Sequence, residues 1–324
     1  MTPSVTCTAG VDVGGTNLRI GAVDADGVVL EDRRAPSPES TDALLAAIAA
    51  HLDELRAATG REIDAIGVGI AGLVDRDGVL HYAPNLPQYG GAPLRAMLTE
   101  RLGMPVVVDN DANAAAWGEA RHGAAHGHDH ALVFTLGTGV GGGIISDGRL
   151  LRGAHGFAGE VGHWQLDPDG PKCACGQVGH WEAFASGTGL GGRAREAAAA
   201  GSAPNVLARA GGDVDAVRSE HAADSAVAGE SDGLALIEEY AHHVALGFAG
   251  LANVFDPEIV VVSGGLVALG EALLGPVRRV FTGQLEGAEQ RPEVPVVAAA
   301  LGDAAGMVGA AALARSLETR TGTR

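Results

Sequence analysis

The chain has 324 residues, of which 46% are hydrophobic and 19% charged, a length that suggests about two domains with a sizeable core. Its 40 acidic and 22 basic residues give a formal net charge of −18, which repels phosphate backbones and anionic membrane surfaces, so neither nucleic acid nor membrane is expected as a partner. The first residues lack the charged and apolar regions of a signal peptide, and no apolar stretch approaches the roughly 20 residues of a spanning helix, so we expect a cytoplasmic protein.

Lysine and cysteine are scarce in this sequence. Lys172 is the only lysine, which argues against chemistry that needs a lysine base or a P-loop lysine. Three cysteines cannot form a disulfide framework, and Cys173 and Cys175 stand one residue apart beside histidines. Metal binding is the better interpretation of that pair, whereas Cys7 is expected only to pack in the opening strand.

The chain opens with a pattern of strand, glycine loop, strand and turn, in residues 8–27. The same pattern recurs in residues 131–151. The period is far longer than that of a solenoid unit, so the repeat predicts a duplicated domain with two similar lobes and a cleft between them.

Helices followed by buried strands come after the first pattern, which is typical of an α/β fold. The predicted pairs are helix 41–58 with strand 63–70, helix 94–102 with strand 105–108, and helix 234–254 with strand 258–262. Residues 191–230 predict short helices and loops without clear boundaries, and residues 303–317 predict a helix able to pack back on the first lobe.

Two glycine segments, 67–72 and 137–142, match the dinucleotide-binding fingerprint by their letters. A Rossmann site needs a helix that opens at the loop, but a strand or a turn follows each segment. A glycine loop between antiparallel strands can instead hold phosphate oxygens on its backbone N–H groups without a lysine. The alternative is that these glycines serve only as hairpin turns. This alternative is less favoured because the glycine loop occurs at matching places in both predicted lobes.

Five segments resemble the motifs of one family. They are residues 12–17 (DVGGTN), 109–114 (DNDANA), 136–143 (LGTGVGGG), 160–163 (EVGH) and 173–182 (CACGQVGHWE). Together they are similar to the ROK family of sugar kinases, repressors and open reading frames, and within it to the zinc-containing bacterial glucokinases. The motifs are specific and span most of the chain.

The resemblance implies an α/β fold of the actin-like ATPase (ribonuclease H-like) type, with two duplicated lobes around a cleft that close over sugar and ATP. We expect an N-terminal lobe of residues 1–117, completed by the C-terminal helix 303–324, and a C-terminal lobe of residues 118–302 that carries the zinc loop and the nucleotide site. A homo-oligomer, either a dimer or a tetramer, is also expected.

The activity implied by the resemblance is ATP-dependent phosphorylation of the 6-hydroxyl of glucose, with Mg²⁺ accompanying ATP. A kinase for N-acetylmannosamine or N-acetylglucosamine is an alternative, and polyphosphate is an alternative donor. A non-catalytic sugar-sensing regulator of the same family is less favoured. Such repressors carry an N-terminal helix-turn-helix, for which a first strand near Thr8 leaves no room, and the net charge opposes DNA binding.

Asp111 is the candidate catalytic base, because it follows a predicted buried strand, where active-site groups of α/β sheets gather. Asn110 beside it can donate to and accept from a sugar hydroxyl. Capping of the following helix is the alternative role for both residues, and one residue can do both. Asp12, at the end of the first strand, would hold Mg²⁺ through water, with an Asx turn as its alternative role.

The ATP site implied by the resemblance uses both glycine loops and a later turn. Its residues would be Asp12, Gly14, Gly15, Thr16, Asn17, Gly137, Thr138, Gly139, Gly264 and Gly265.

Glu160, His163 and Glu182 are the candidate sugar-binding residues, because carboxylates are the strongest acceptors for sugar hydroxyls. Their apolar neighbours argue against plain surface charge. Asn85 resembles a further sugar contact of the family, although an asparagine before Leu-Pro is also an ordinary turn residue.

A set of soft or borderline metal ligands with the spacing H-x9-C-x-C-x4-H comprises His163, Cys173, Cys175 and His180. Four such ligands fit a closed tetrahedral structural zinc site. The family typically has cysteine at the position of His180, and this difference leaves the affinity for zinc undetermined. The alternative is a site of free thiols without metal. Zinc would fix the loop that carries Glu160 and Glu182 to the sugar.

Overall fold

The computed structural model describes residues 6–321. The strands are β1 Thr6–Val13, β2 Asn17–Val23, β3 Val29–Pro36, β4 Glu62–Ile70, β5 Leu73–Val74, β6 Leu80–Tyr82, β7 Val106–Asn110, β8 Ala131–Leu136, β9 Val140–Ser146, β10 Arg149–Leu150, β11 Ile259–Ser263 and β12 Val296–Ala298. The α-helices are α1 Thr41–Thr59, α2 Leu94–Leu102, α3 Asp111–His122, α4 Glu182–Ala185, α5 Gly187–Ala199, α6 Pro204–Arg209, α7 Ser219–Val227, α8 Ser231–Phe255, α9 Glu271–Gln284 and α10 Ala305–Thr321. None of these helices combines the length and the apolar character needed to cross a membrane.

Two five-stranded sheets share one strand order. The first has the order β3-β2-β1-β4-β7 and the second the order β10-β9-β8-β11-β12, while β5 and β6 form a separate pair. In the first sheet β1 pairs antiparallel with β2 and parallel with β4. In the second, β8 and β12 both pair parallel with β11, and β9 pairs antiparallel with β10. The predicted duplication is therefore present, and the α/β fold is that of the actin-like ATPases.

The chain divides into two compact units. Unit 1 comprises the described residues of Met1–Asp129, Gly143–Gly159 and Ala299–Arg324, and unit 2 comprises His130–Gly142 and Glu160–Ala298. The expected lobes, residues 1–117 with 303–324 and residues 118–302, stay a prediction.

The core of unit 1 lies between its sheet and the flanking helices. On one side α1 buries Leu44, Ile48 and Leu52 completely, as its apolar spacing predicts. On the other side α10 packs directly on β1 and β4 and along α3. A Cβ atom at Gly67 would lie 1.7 Å from the carbonyl oxygen of Ala310, so only glycine permits this approach of helix to strand.

Aromatic packing marks the core of unit 2. Phe134 of β8 stacks on Phe248 of α8 with ring centroids 4.4 Å apart, and the fully buried Trp181 contacts both rings at their edges. The Trp181 indole N–H donates to the carbonyl oxygen of His243 at 2.8 Å. Because Trp181 immediately precedes Glu182, this packing anchors the start of α4.

Several predicted elements have different ends in the structure. The strand predicted for 105–108 extends to Asn110, and α3 begins at Asp111. The region 191–230 contains most of α5 together with α6 and α7. The sequence analysis did not include α9, which contains Pro276, or β12, which has three residues. An internal proline and a short strand both weaken the periodic patterns on which such predictions depend.

Candidate functional site

The predicted base Asp111 and the predicted sugar contact Asn110 lie where β7 ends and α3 begins, in unit 1. Asn110 is the N-cap of α3, and its side-chain oxygen accepts from the Asn113 N–H at 3.0 Å. Its amide nitrogen donates to the carbonyl oxygen of Gly72 at 3.1 Å. Asp111 is the first residue of the helix, and one carboxylate oxygen accepts from the Ala112 N–H at 2.9 Å. The capping role considered for Asn110 is therefore real.

Asp12 and Asp111 form an acidic pair in unit 1. Burial, followed by repulsion from Asp111, raises the pKa of Asp12 from 3.8 to about 6, although Arg19 opposes the shift. Burial likewise raises the pKa of Asp111, against hydrogen bonds that favour its ionised form. A Cβ atom at Gly306, in the first turn of α10, would lie 2.8 Å from a carboxylate oxygen of Asp12. The absence of a side chain there leaves room for this carboxylate.

The first glycine loop joins β1 to β2 in unit 1. Its ends are tied by a hydrogen bond from the Gly14 N–H to the Asn17 carbonyl oxygen at 2.9 Å, and Gly15, Thr16 and Asn17 are exposed. A Cβ atom at Gly15 would lie 3.4 Å from that of Asn85, which is also exposed. The structure thus brings a predicted ATP loop next to a predicted sugar contact.

The second glycine loop joins β8 to β9 in unit 2. The Gly137 N–H donates to the Gly139 carbonyl oxygen at 3.0 Å, and the exposed Thr138 forms its tip. Gly264 has a φ of 102°, and a Cβ atom there would lie 2.2 Å from the Leu136 carbonyl oxygen. Gly264 therefore packs on the strand end that precedes the loop, and the exposed Gly265 follows it.

The start of α5 also meets this loop, which the sequence analysis did not anticipate. The Gly187 N–H donates to the Gly137 carbonyl oxygen at 2.7 Å, and the Thr188 hydroxyl donates to the Thr138 carbonyl oxygen at 2.7 Å. Ser186 caps the helix by accepting from the Gly189 N–H. The sequence Ser-Gly-Thr-Gly before a helical run was the available signal, because serine is a favoured N-cap.

Glu182 connects the second glycine loop to the cysteine-rich segment. One carboxylate oxygen accepts from the Val140 N–H at 3.0 Å, and the other accepts from the Cys173 thiol at 3.3 Å. A Cβ atom at Gly139 would lie 2.5 Å from the first of these oxygens. Glu182 therefore faces the glycine loop, whereas the sequence analysis placed it only among sugar-binding residues.

Glu160 and His163 are neighbours in unit 2, with 3.8 Å between a carboxylate oxygen and Nε2 of the imidazole. The other ring nitrogen, Nδ1, lies 3.9 Å from the Cys173 sulfur. The two ring nitrogens of His163 thus face two different groups, a carboxylate and a thiol.

The four predicted metal ligands converge. The candidate ligand atoms of His163, Cys173, Cys175 and His180 all lie within 4.8 Å of one another, and the Cys175 sulfur lies 3.2 Å from Nδ1 of His180. Two sulfur and two imidazole ligands at such distances suit a tetrahedral zinc ion after small adjustments. Without metal, burial raises the pKa of Cys173 to about 12, so metal binding would have to displace the thiol proton.

Comparisons with known proteins agree with these motifs. The ROK family model matches residues 8–317. A glucokinase of Streptomyces coelicolor is 42% identical over 311 residues, which cover 95% of this chain and 97% of that protein. An N-acetylmannosamine kinase of Citrobacter koseri is 37% identical over 316 residues, which cover 95% of this chain and 98% of that protein.

A solved structure shares both the fold and the sequence motifs. The crystal structure of a ROK family glucokinase from Streptomyces griseus in complex with glucose and AMPPNP superposes with a TM-score of 0.83 at 42% identity, over 96% of this chain and 99% of that one. The family match covers nearly all described residues of both units. This chain therefore belongs to the ROK family.

Proposed function

We propose that this protein is a glucokinase that transfers the γ-phosphoryl group of ATP to the 6-hydroxyl of glucose. The observation that carries the proposal is the 42% identity, over almost the full length of both chains, with a glucokinase of Streptomyces coelicolor. The crystallised Streptomyces griseus relative, which contains glucose and AMPPNP, supports both substrates.

Asp111 would act as the base that accepts the proton of the attacking hydroxyl. Its raised pKa suits this role, because a base is most effective when its pKa approaches the working pH. Asn110 would orient the sugar, since its amide is fixed between Asn113 and Gly72. Positioning of this kind supplies much of the rate enhancement in phosphoryl transfer.

The ATP phosphates would bind to backbone N–H groups of the two glycine loops, around Gly14 and Gly137. The start of α5 adds the positive end of a helix dipole beside the second loop, which favours an anion there. Gly264 and Gly265 would flank the adenosine. Bound Mg²⁺ would neutralise phosphate charge, and Asp12 would hold it through water.

Glu160, His163 and Glu182 would contact sugar hydroxyls, together with Asn85. Each Glu182 carboxylate oxygen accepts one hydrogen bond, from the Val140 N–H or the Cys173 thiol, and each can accept a further one from a sugar hydroxyl. Zinc would be held by His163, Cys173, Cys175 and His180, and would fix the loop that carries these carboxylates.

An N-acetylmannosamine kinase is the second candidate, because the Citrobacter koseri relative has that name and is 37% identical. A coupled assay of the purified protein with glucose, mannose, N-acetylglucosamine and N-acetylmannosamine, each with ATP or polyphosphate, separates the candidates. We expect the highest kcat/KM for glucose with ATP, with NMR of the product showing phosphate on oxygen 6. A higher kcat/KM for N-acetylmannosamine would contradict the proposal.

A further inference from the structure

A buried carboxylate contacts Asn110 and the first turn of the helix that begins with the proposed base, Asp111. Asp109, the penultimate residue of β7, is 4% exposed. One of its oxygens accepts from the Asn110 N–H at 2.9 Å and from the Asn113 side-chain amide at 3.0 Å. The other accepts from Nε of Arg152 at 2.6 Å. A buried charge is tolerated only when it is paired and hydrogen-bonded, and these three donors meet that requirement.

The donors come from separate parts of unit 1. The Asn110 N–H belongs to the end of β7, the Asn113 amide to the first turn of α3, and Arg152 to the segment that follows β10. Asn113 also donates its backbone N–H to the Asn110 side chain at 3.0 Å. The Asp109 carboxylate therefore fixes Asn110 and the helical turn that begins with Asp111.

Arg152 also belongs to the segment that leads to Glu160. Its carbonyl oxygen accepts from the Ala158 N–H at 3.3 Å, which closes a turn within residues 152–158. The same residue thus links the carboxylate behind Asn110 to the chain that continues into a proposed sugar-binding residue.

We propose that Asp109 and Arg152 are a positioning pair for the phosphoryl-transfer step. They touch neither sugar nor nucleotide, and they act by holding Asn110 and Asp111 in the orientation that the attacking hydroxyl requires. The inference rests on the proposed kinase function. Small displacements of catalytic groups reduce rates steeply, by up to about 100-fold for a shift of about 1 Å.

Arg152→Ala, assayed with saturating glucose and ATP, is the first test. We expect kcat to fall about 10- to 100-fold, while the KM for ATP changes less than about threefold. Methylguanidinium at a concentration that does not denature the parent should restore part of kcat in this variant only, because it can occupy the position of the lost side chain. An equal concentration of sodium chloride controls for ionic strength.

Asp109→Asn and Arg152→Gln, singly and combined, form the second test. In Asp109→Asn, an amide N–H replaces the carboxylate oxygen that accepts from Arg152, so two donors face each other. In the double variant, the amide oxygen of the new glutamine can accept from the amide N–H of the new asparagine. We expect the double variant to have a kcat no lower than that of the weaker single variant. If the fold-loss in kcat of the double variant equals the product of the two single fold-losses, the two residues act independently, which would contradict the proposed pair.

Arg76→Ala is the matched control, because the Arg76 side chain donates to the Gly153 carbonyl oxygen of the same segment without contacting Asp109. This variant should keep kcat within about twofold of the parent. An equal loss in Arg76→Ala, or the absence of rescue in Arg152→Ala, would overturn the positioning role in favour of a loss of segment structure. An inactive parent would instead refute the kinase function itself.

Discussion

The two groups of proposed site residues are held in place by different means. In unit 1, Asn110 and Asp111 lie at the junction of a sheet strand and a 12-residue helix, so the backbone itself determines where they point. In unit 2, Glu160 and His163 lie in a segment that contains only a three-residue 3-10 helix and two isolated β-bridges between residues 160 and 181. Glu182 begins the four-residue helix α4, and its carboxylate accepts from the Cys173 thiol and from the Val140 N–H of the second glycine loop.

The unit 1 residues are therefore preorganised, whereas the orientation of the unit 2 residues depends on a further constraint. A side chain at a strand-helix junction has its orientation determined by sheet and helix hydrogen bonds. A side chain in an irregular segment needs another constraint, and a metal bound by four side chains supplies one. We therefore expect chemistry to depend on unit 1 residues and sugar affinity to depend on metal.

The largest effect is expected from Asp111→Asn. Loss of a general base should lower kcat by about 10² to 10⁴-fold, while folding and zinc content stay unchanged. Steady-state kinetics, circular dichroism and elemental analysis measure kcat, folding and zinc content, respectively. A kcat within tenfold of the parent would show that this carboxylate is not the base.

Asp12→Asn should stabilise the metal-free protein at pH 7. The folded pKa of about 6 lies above the usual 3.8, so the protonated form contributes stability that is present below pH 4 and lost as pH rises through 6. A rise in the pKa of Asp12 from 3.8 to about 6 corresponds to about 3 kcal/mol at most.

Denaturant unfolding of parent and Asp12→Asn at pH 4 and pH 7 measures this effect. The variant should be more stable at pH 7, nearly equal at pH 4, and impaired in catalysis with MgATP. A variant that is less stable than the parent at pH 7 would show that the carboxylate is not destabilised by its surroundings.

Zinc removal, or Cys175→Ser, should weaken glucose binding about 10- to 100-fold and leave nucleotide binding within about twofold. Calorimetry with each ligand and elemental analysis make the measurement. Cys7→Ser is the matched control, because Cys7 is a buried cysteine on β1 outside the metal cluster. Well under one zinc per chain in protein purified without chelator would contradict the metal assignment.

Gly139→Ala should have the smallest effect, a loss of about 1–2 kcal/mol in the free energy of unfolding. Its Cβ atom would displace the Glu182 carboxylate and break the bond to the Val140 N–H. Gly137→Ala is the paired control, because a Cβ atom there would meet no described atom within 4 Å. Equal thermal stabilities of the two variants would argue that the Glu182 contact contributes nothing.

Much of this protein could be predicted from local patterns. The duplicated meander, the bounds of α1 and α2 to within a residue and the four converging metal ligands all follow from spacing within short segments. The prediction of β7 ended two residues too early, because Asp109 and Asn110 have low strand propensity yet pair with Gly69 and Ile70 of β4. Neighbouring strands overrode the local preference.

The sequence by itself determined which chemical groups are present and which short segments carry them: the glycine loops, the Asn-Asp pair at a helix start and the histidine-cysteine set. Only the tertiary structure decided which of these groups meet. Arg152 pairs with Asp109 across 43 positions, and Glu182 reaches the Val140 N–H across 42 positions. Local spacing carries no information about such contacts, because they depend on how distant elements pack once the whole core has formed.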